Sequence, residues 1–369
     1  MLRSLLIYTV WQRKLQVKGS LIPVWFKDIL PRKSLFFIHQ ISVNYTMHRI
    51  FMLAPMAEIS HRALRELIAG FGRDAAEGPD EYFTEMISAG GLLGGGPFER
   101  WYLDPGPYPE RLVYQLAGSD PDQIERAAVL LERRGFEDGP FLGIDINMGC
   151  AAPAIRRTGA GVAWMASADA AGALMGRLRR VVSRRLSVKL RIGFQDDFEG
   201  LLRFCHRLEA EGVELVTLHP RTAGEKFRRN ARWDYVEALR GELGIPVAGN
   251  GDIASPEEML RRAGKGPVMV GRAAIRRPWI FATARSLDEG AASGDGEKAA
   301  PSFNLEETGI RFLELLARYQ PPEFHLSRAR RFFGYFCDNL KWGNYLKNLL
   351  NREQSLAGIE QAWRRYFAV

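Results

Sequence analysis

The chain has 369 residues, enough for one large domain or for one large and one small. Apolar content of 46% and charged content of 25% describe a soluble globular protein, and three widely spaced cysteines exclude a disulfide framework or paired metal-ligand spacing. The formal net charge is +8, but residues 1–50 carry eight Lys or Arg against Asp28 alone, so the rest is close to balanced and composition by itself does not argue for RNA.

Within the basic first segment, Leu5 to Trp11 is too short an apolar run to span a membrane. No small-residue cleavage site follows it. Met47 stands just before the first strand, so residues 1–46 are expected to lie outside the fold.

From Met47 the chain alternates. Strand one is predicted over Phe51 to Pro55, and Ser60 is read as the cap of a helix with Leu64, Leu67, Ile68 and Phe71 at helical spacing. Tyr82 to Glu85 and Arg111 to Leu116 read as the next strands. Asp120-Pro121 then opens a helix to about Arg134, with proline at its first position. Phe141 to Ile146 is an apolar fourth strand with Asp145 as its single charge, followed by a turn through Asn147 and Gly149 and the loop bearing Cys150. Strands five to eight are placed at Ser187–Arg191, Leu215–His219, Ile245–Ala248 and Val268–Val270. The arginines from Arg177 to Arg185 read as an outer solvated helix, and Cys205 lies on the apolar face of the helix after strand five.

Eight strands alternating with helices predict a TIM (β/α)8 barrel over residues 47–286. A doubly wound sheet is disfavoured because no Gly-x-Gly-x-x-Gly follows the first strand. Residues 287–304 have linker composition. Residues 305–369 show helical spacing only, with Leu313, Leu316, Tyr319, Phe332, Phe333, Phe336 and Leu340 as apolar stripes, so a small all-helical C-terminal domain is expected, with Cys337 as packing.

In such a barrel the functional groups come from the C-terminal ends of the strands. Those ends read Pro55-Met56-Ala57, Gln115, Asn147 with Cys150, Lys189 with Arg191, His219-Pro220-Arg221, Asn250-Gly251-Asp252 and Gly271-Arg272. Polar groups at six of the eight ends, with Pro55-Met56-Ala57 at a seventh, point to a site, and the ends of strands seven and eight are the usual phosphate position of the fold.

These stretches resemble the dihydrouridine synthases, FMN-dependent enzymes that reduce uridines in tRNA. The resemblance rests on Leu53-Ala-Pro-Met56, Thr84-Glu-Met-Ile-Ser-Ala-Gly90, Gln115-Leu-Ala-Gly118, Asp145-Ile-Asn-Met-Gly-Cys150, Val188-Lys-Leu-Arg191, His219-Pro-Arg-Thr222, Asn250-Gly-Asp-Ile253 and Val270-Gly-Arg-Ala273. It implies that Pro55, Met56 and Ala57 line the flavin, that Gln115 bonds the ring edge, and that Lys189 sits by the pyrimidine side of the ring. His219 would contact the flavin or the target base, and Arg221 would add positive charge toward the substrate. Asn250, Gly251, Gly271 and Arg272 would hold the FMN phosphate, with Asp252 in the same cofactor site. It further implies NADPH or NADH as reductant, hydride delivery to uracil C6, Cys150 as the acid that protonates C5, and Asn147 on the edge of a base drawn out of its stack. An ordinary thiol, with pKa about 8.5, is mostly protonated near neutrality and can donate. The sequence departs from the family in three places: Ala151-Ala152 follow the cysteine where proline is usual, Pro220 replaces a small residue, and Arg229 stands near a usual glycine.

The expected setting is a cytoplasmic monomer with tRNA and NAD(P)H as partners, no membrane and no metal. Arg156-Arg157, Arg228-Arg229-Arg232 and Arg276-Arg277 on loops, with Arg328, Arg330, Arg331 and Lys341 on the helical domain, form the expected RNA face. Two other readings use the same residues: an FMN-dependent dehydrogenase of a free pyrimidine, which would have no RNA affinity, and a non-catalytic RNA-binding barrel, which would be colourless.

Overall fold

The computed structural model describes residues 49–293 and 303–368. The expectation for residues 1–46 lies outside the described residues. Eight parallel strands close in chain order: β1 (Phe51–Leu53), β2 (Glu81–Ser88), β3 (Leu112–Ala117), β4 (Gly143–Met148), β5 (Arg185–Gly193), β6 (Leu215–Thr222), β7 (Val247–Asn250) and β8 (Val268–Val270). The barrel is sealed by β1 and β8, with Met52 opposite Met269.

All eight predicted strands are present, and the differences fall at their ends. β4 continues through Asn147 to Met148, where a turn was expected, and β6 runs through Arg221 to Thr222, past the expected end at His219. Strand side chains alternate between faces, so the inward set on β4 is Asp145 and Asn147 and on β5 is Ser187, Lys189 and Arg191. The register pairs Gln115 with Asp145, Asp145 with Ser187, Asn147 with Lys189 and Arg191 with His219. Polar residues therefore form the upper inward layers, while Met52, Phe83, Val113, Leu215, Ala248 and Met269 fill the barrel lower down. A polar inward row looks like loop in sequence because nothing in the composition says that neighbouring strands supply its partners.

The ring of outer helices comprises α1 (Arg62–Ala69), α2 (Pro121–Glu137), α3 (Ala168–Val181), α4 (Phe198–Ala210), α5 (Trp233–Glu242), α6 (Pro256–Ala263) and α7 (Ile280–Ser293). α2 starts as predicted, with the Asp120 carboxylate accepting from the backbone N–H of Asp122 at 2.9 Å. α1 does not: its cap is His61, and the Ser60 hydroxyl instead closes the turn above it, accepting from Met56 N at 2.9 Å. Cys205 on α4 is buried as expected, and burial pushes its thiol up to about 12.

α7 runs to Ser293, past residue 287, where linker composition placed its end. Ala284 and Arg285, buried on its inner face, place α7 in the barrel layer, and beyond residue 287 Asp288 still pairs with Arg49. Four helices follow, α8 (Leu305–Tyr319), α9 (Pro322–Phe336), α10 (Gly343–Arg352) and α11 (Leu356–Phe367). They close around an aromatic core in which Phe312 stacks on Phe332 and Trp363 packs on Phe333 and Phe336. Cys337 is buried there. Barrel and helices form one compact unit over Arg49–Val369. Their seam includes His61 beside Phe312, Arg62 over Tyr319, and a buried ion pair between Arg328 of α9 and Glu85 of β2.

Candidate active site

A cavity of about 800 Å³ opens at the C-terminal ends of the strands. All the predicted site residues line it except Gln115 and Arg221. Pro55, Met56 and Ala57 form one wall; Asn147 and Cys150 form another; Lys189 and His219 rise from the floor; Asn250, Gly251, Asp252, Gly271 and Arg272 close the far end.

The Cys150 loop is built by hydrogen bonds that start deep in the barrel. The Asp145 carboxylate, fully buried, accepts from Ser187 Oγ at 2.7 Å and from Gln115 Nε2 at 2.7 Å. Gln115 Oε1 accepts from Asn147 Nδ2 at 2.8 Å, and Asn147 Oδ1 accepts from Cys150 N at 2.9 Å and Gly149 N at 3.2 Å. Gln115 is thus bonded at both the oxygen and the nitrogen of its amide beneath the cavity and does not line it. Asn147 lines the cavity, yet its carbonyl holds the cysteine loop. Gly161 completes the loop at φ 62°, where an added Cβ would lie 2.5 Å from the Cys150 carbonyl oxygen. That oxygen accepts from Val162 N at 3.0 Å. These bonds need no proline after Cys150, which accounts for the tolerance of Ala151-Ala152.

The cavity is strongly cationic. Lys189, Arg191, Lys226, Arg272 and Arg276 line it against a single acid, Asp252. Burial, followed by the Arg191 charge, lowers Lys189 to about 8. His219 is held well below its usual range, first by burial and then by Lys189 and the surrounding arginines, so its ring is neutral near pH 7. Arg221 Nη1 lies 2.9 Å from His219 Nε2. Arginine can only donate, which assigns the acceptor role to Nε2 and the ring proton to Nδ1.

Two expectations change here. Arg221 is buried at 2% exposure; it orients His219 and grips the Asp252 carboxylate with two bonds of 2.7 Å, so it faces no substrate. Asp252 also accepts from Ala231 N at 2.7 Å, and as an acid it repels phosphate; it holds Arg221 and, at 3.7 Å, steadies Arg272. Among the expected RNA contacts, Arg328 is buried against Glu85, Arg232 is paired with Glu225, and Arg331 with Glu58. Arg156, Arg157, Arg228 and Arg229 are exposed.

Several lining residues carried no sequence assignment. Arg191 was legible, since it lies two residues after Lys189 on one strand and so shares its face. Phe227 sits 4.3 Å from the Arg272 guanidinium and 6.0 Å from the His219 ring at the mouth. Tyr335 comes from α9, and only the docking of the helical domain brings it to the cavity.

A phosphate-bearing, planar cofactor fits this set. The excess of cations calls for an anion, and Gly251 and Gly271 offer backbone without side chains beside Arg272. Among the described residues no cluster of three His, Cys, Asp or Glu could hold a metal ion, and no helix is long and apolar enough to cross a membrane.

Fold and cavity together define an α/β barrel of the enzyme kind, with a cationic cavity at the strand ends and the Cys150 thiol in its lining. The family described as Dihydrouridine synthase (Dus) matches residues 52–362, spanning barrel and helical domain. The chain belongs to the dihydrouridine synthase family. It is 28% identical to tRNA-dihydrouridine synthase B of Pseudomonas aeruginosa, with 88% of this chain and 94% of that protein covered. It is 32% identical to a probable tRNA-dihydrouridine synthase of Aquifex aeolicus, covering 70% and 79%.

Proposed function

We propose that this protein reduces uridines in tRNA to 5,6-dihydrouridine, with FMN as its cofactor and NADPH or NADH as the reductant, as a cytoplasmic monomer. The observation that carries the reading is the placement of Cys150, on a loop tied to the barrel interior, at the rim of a cationic strand-end cavity in a member of this family.

Pro55, Met56 and Ala57 would hold the ring of the cofactor, Lys189 its pyrimidine side, and Asn250, Gly251, Gly271 and Arg272 its phosphate. The chemistry that FMN would supply there is hydride transfer between a nicotinamide and C6 of the uracil. The protein's own residues do the rest. The Cys150 thiol gives its proton to C5 as the C5–C6 double bond is consumed, and the thiolate left behind recovers a proton from solvent. Lys189 and Arg191 balance negative charge in the cavity, and the neutral His219 offers Nδ1–H as a fixed donor. Asn147, Gln115 and Asp145 act through Cys150 by holding its loop.

The test is anaerobic. Purified protein loaded with FMN and reduced with NADPH should return to the oxidised spectrum when unmodified tRNA is added, with dihydrouridine appearing in the RNA. Oxidation by free uracil or orotate, and none by tRNA, would favour the free-pyrimidine reading.

A further inference from the structure

We propose that Glu85 and Arg328 are positioning residues for the cofactor-lining turn, so that the helical domain fixes one wall of the cavity. The proposal rests on the flavin reading above. Immediately after Pro55-Met56-Ala57 comes Glu58, whose φ is 63°, a left-handed conformation that a residue with a side chain adopts only when something holds it.

The holding group is Glu85. Its Oε1 accepts from the backbone N–H of Glu58 at 2.5 Å, and its Oε2 pairs with Arg328 Nη1 at 3.0 Å. Both side chains of that pair are 3% exposed. Arg328 is itself fixed: it donates to Gln320 Oε1 and lies over the rings of Phe324 at 4.6 Å and Tyr102 at 5.8 Å. A second anchor follows on the same helix, since Arg331 pairs with the Glu58 carboxylate. Tyr335, one turn further, lines the cavity. Positions 328, 331 and 335 are spaced by three and four residues and share one face of α9, which meets the barrel at this turn. The acidic residue of the turn and the buried acid of β2 are therefore both met by arginines of the helical domain.

Removing one partner of a buried pair leaves a stranded charge and can unfold the seam, so the test removes both. E85M/R328M removes both charges of the pair and takes away the acceptor for Glu58 N–H. E85Q/R328M is equally neutral and keeps that acceptor. Adding E58G to E85M/R328M places at the strained position a residue that adopts positive φ unaided, and the Arg331 pair that it removes is half exposed and contributes little. Apo-protein is titrated with FMN by fluorescence quenching, and the visible circular dichroism of the bound flavin is recorded. E85M/R328M should bind FMN about tenfold more weakly with an altered spectrum, the order expected when one left-handed residue is free to relax. E85Q/R328M and E58G/E85M/R328M should recover most of the affinity. Wild-type affinity and spectrum in folded E85M/R328M would overturn the proposal, and so would a loss that neither rescue restores. If the wild-type protein binds no FMN, the flavin reading falls and this inference with it.

Discussion

Under the proposed function Cys150 separates the two half-reactions. There it delivers one proton to uracil, so Cys150→Ala should bind FMN and accept electrons from NADPH at the wild-type rate, then stall with tRNA. General acid catalysis of this kind contributes about a hundred- to ten-thousand-fold. Rapid mixing of the pre-reduced variant with tRNA in the absence of oxygen checks this, and wild-type reoxidation would remove the proton-donor role. Cys205→Ala and Cys337→Ala should stay active, because both thiols are buried packing. Lys189 gives a pH signature. Its ammonium form, lowered to about 8, prevails below that pH and is lost above it. FMN affinity should fall between pH 7 and 9, and K189M should bind more weakly with a flat profile. Asp145 acts in the opposite range. Burial, the largest effect on it, raises its carboxyl to about 6 from an ordinary 3.8. Folding therefore takes up a proton between these values, so the contribution of Asp145 to stability is greatest below pH 4 and is lost as pH rises through 6, roughly 3 kcal/mol in all. In D145N, whose amide can still meet Gln115 and a rotated Ser187 hydroxyl, stability should vary less across that window when thermal midpoints are compared. An unchanged profile would place the titration elsewhere.

Among the elements, the loop after β6 and the short helix Pro153–Arg157 after the cysteine carry exposed arginines next to the lining residues Phe227 and Pro153. Neutralised phosphates release counterions, so each lost contact should lower the salt slope of tRNA binding by about 1. R228E/R229E and R156E/R157E should each weaken binding and flatten its salt dependence, measured from 50 to 200 mM salt. Slopes equal to wild type in both would put the footprint on other elements. Arg330 and Arg331 are poorer probes, because Arg330 donates to the Glu353 carbonyl and Arg331 meets Glu58. Reversing them disturbs the seam as well as the surface.

At the scale of the whole molecule, barrel and helical domain share a buried ion pair and an aromatic contact between α1 and α8. Neither part covers these groups alone. Thermal unfolding should therefore be one transition, and FMN at a hundred times its dissociation constant should raise stability by about 2.7 kcal/mol for both parts together. Two separated transitions, with FMN moving only the first, would show the parts to be independent.

The sequence alone determined the alternation of strands and helices, because apolar periodicity and the Asp120-Pro121 start are local signals. It also picked out most of the residues that line the strand-end cavity, since barrel function gathers at strand ends and those ends are largely polar. The extent of β4 and β6 was hidden: Asn147 and Arg221 look like loop residues until neighbouring strands supply their partners. The roles of Gln115, Arg221 and Asp252 were hidden for the same reason. Whether a polar side chain meets a ligand or another side chain depends on cross-strand register, and register is a tertiary property. Arg328 and Tyr335 show the limit most plainly. One lies under the seam and the other on the cavity wall, seven residues apart on one helix, and only the docking of that helix against the barrel decided which was which.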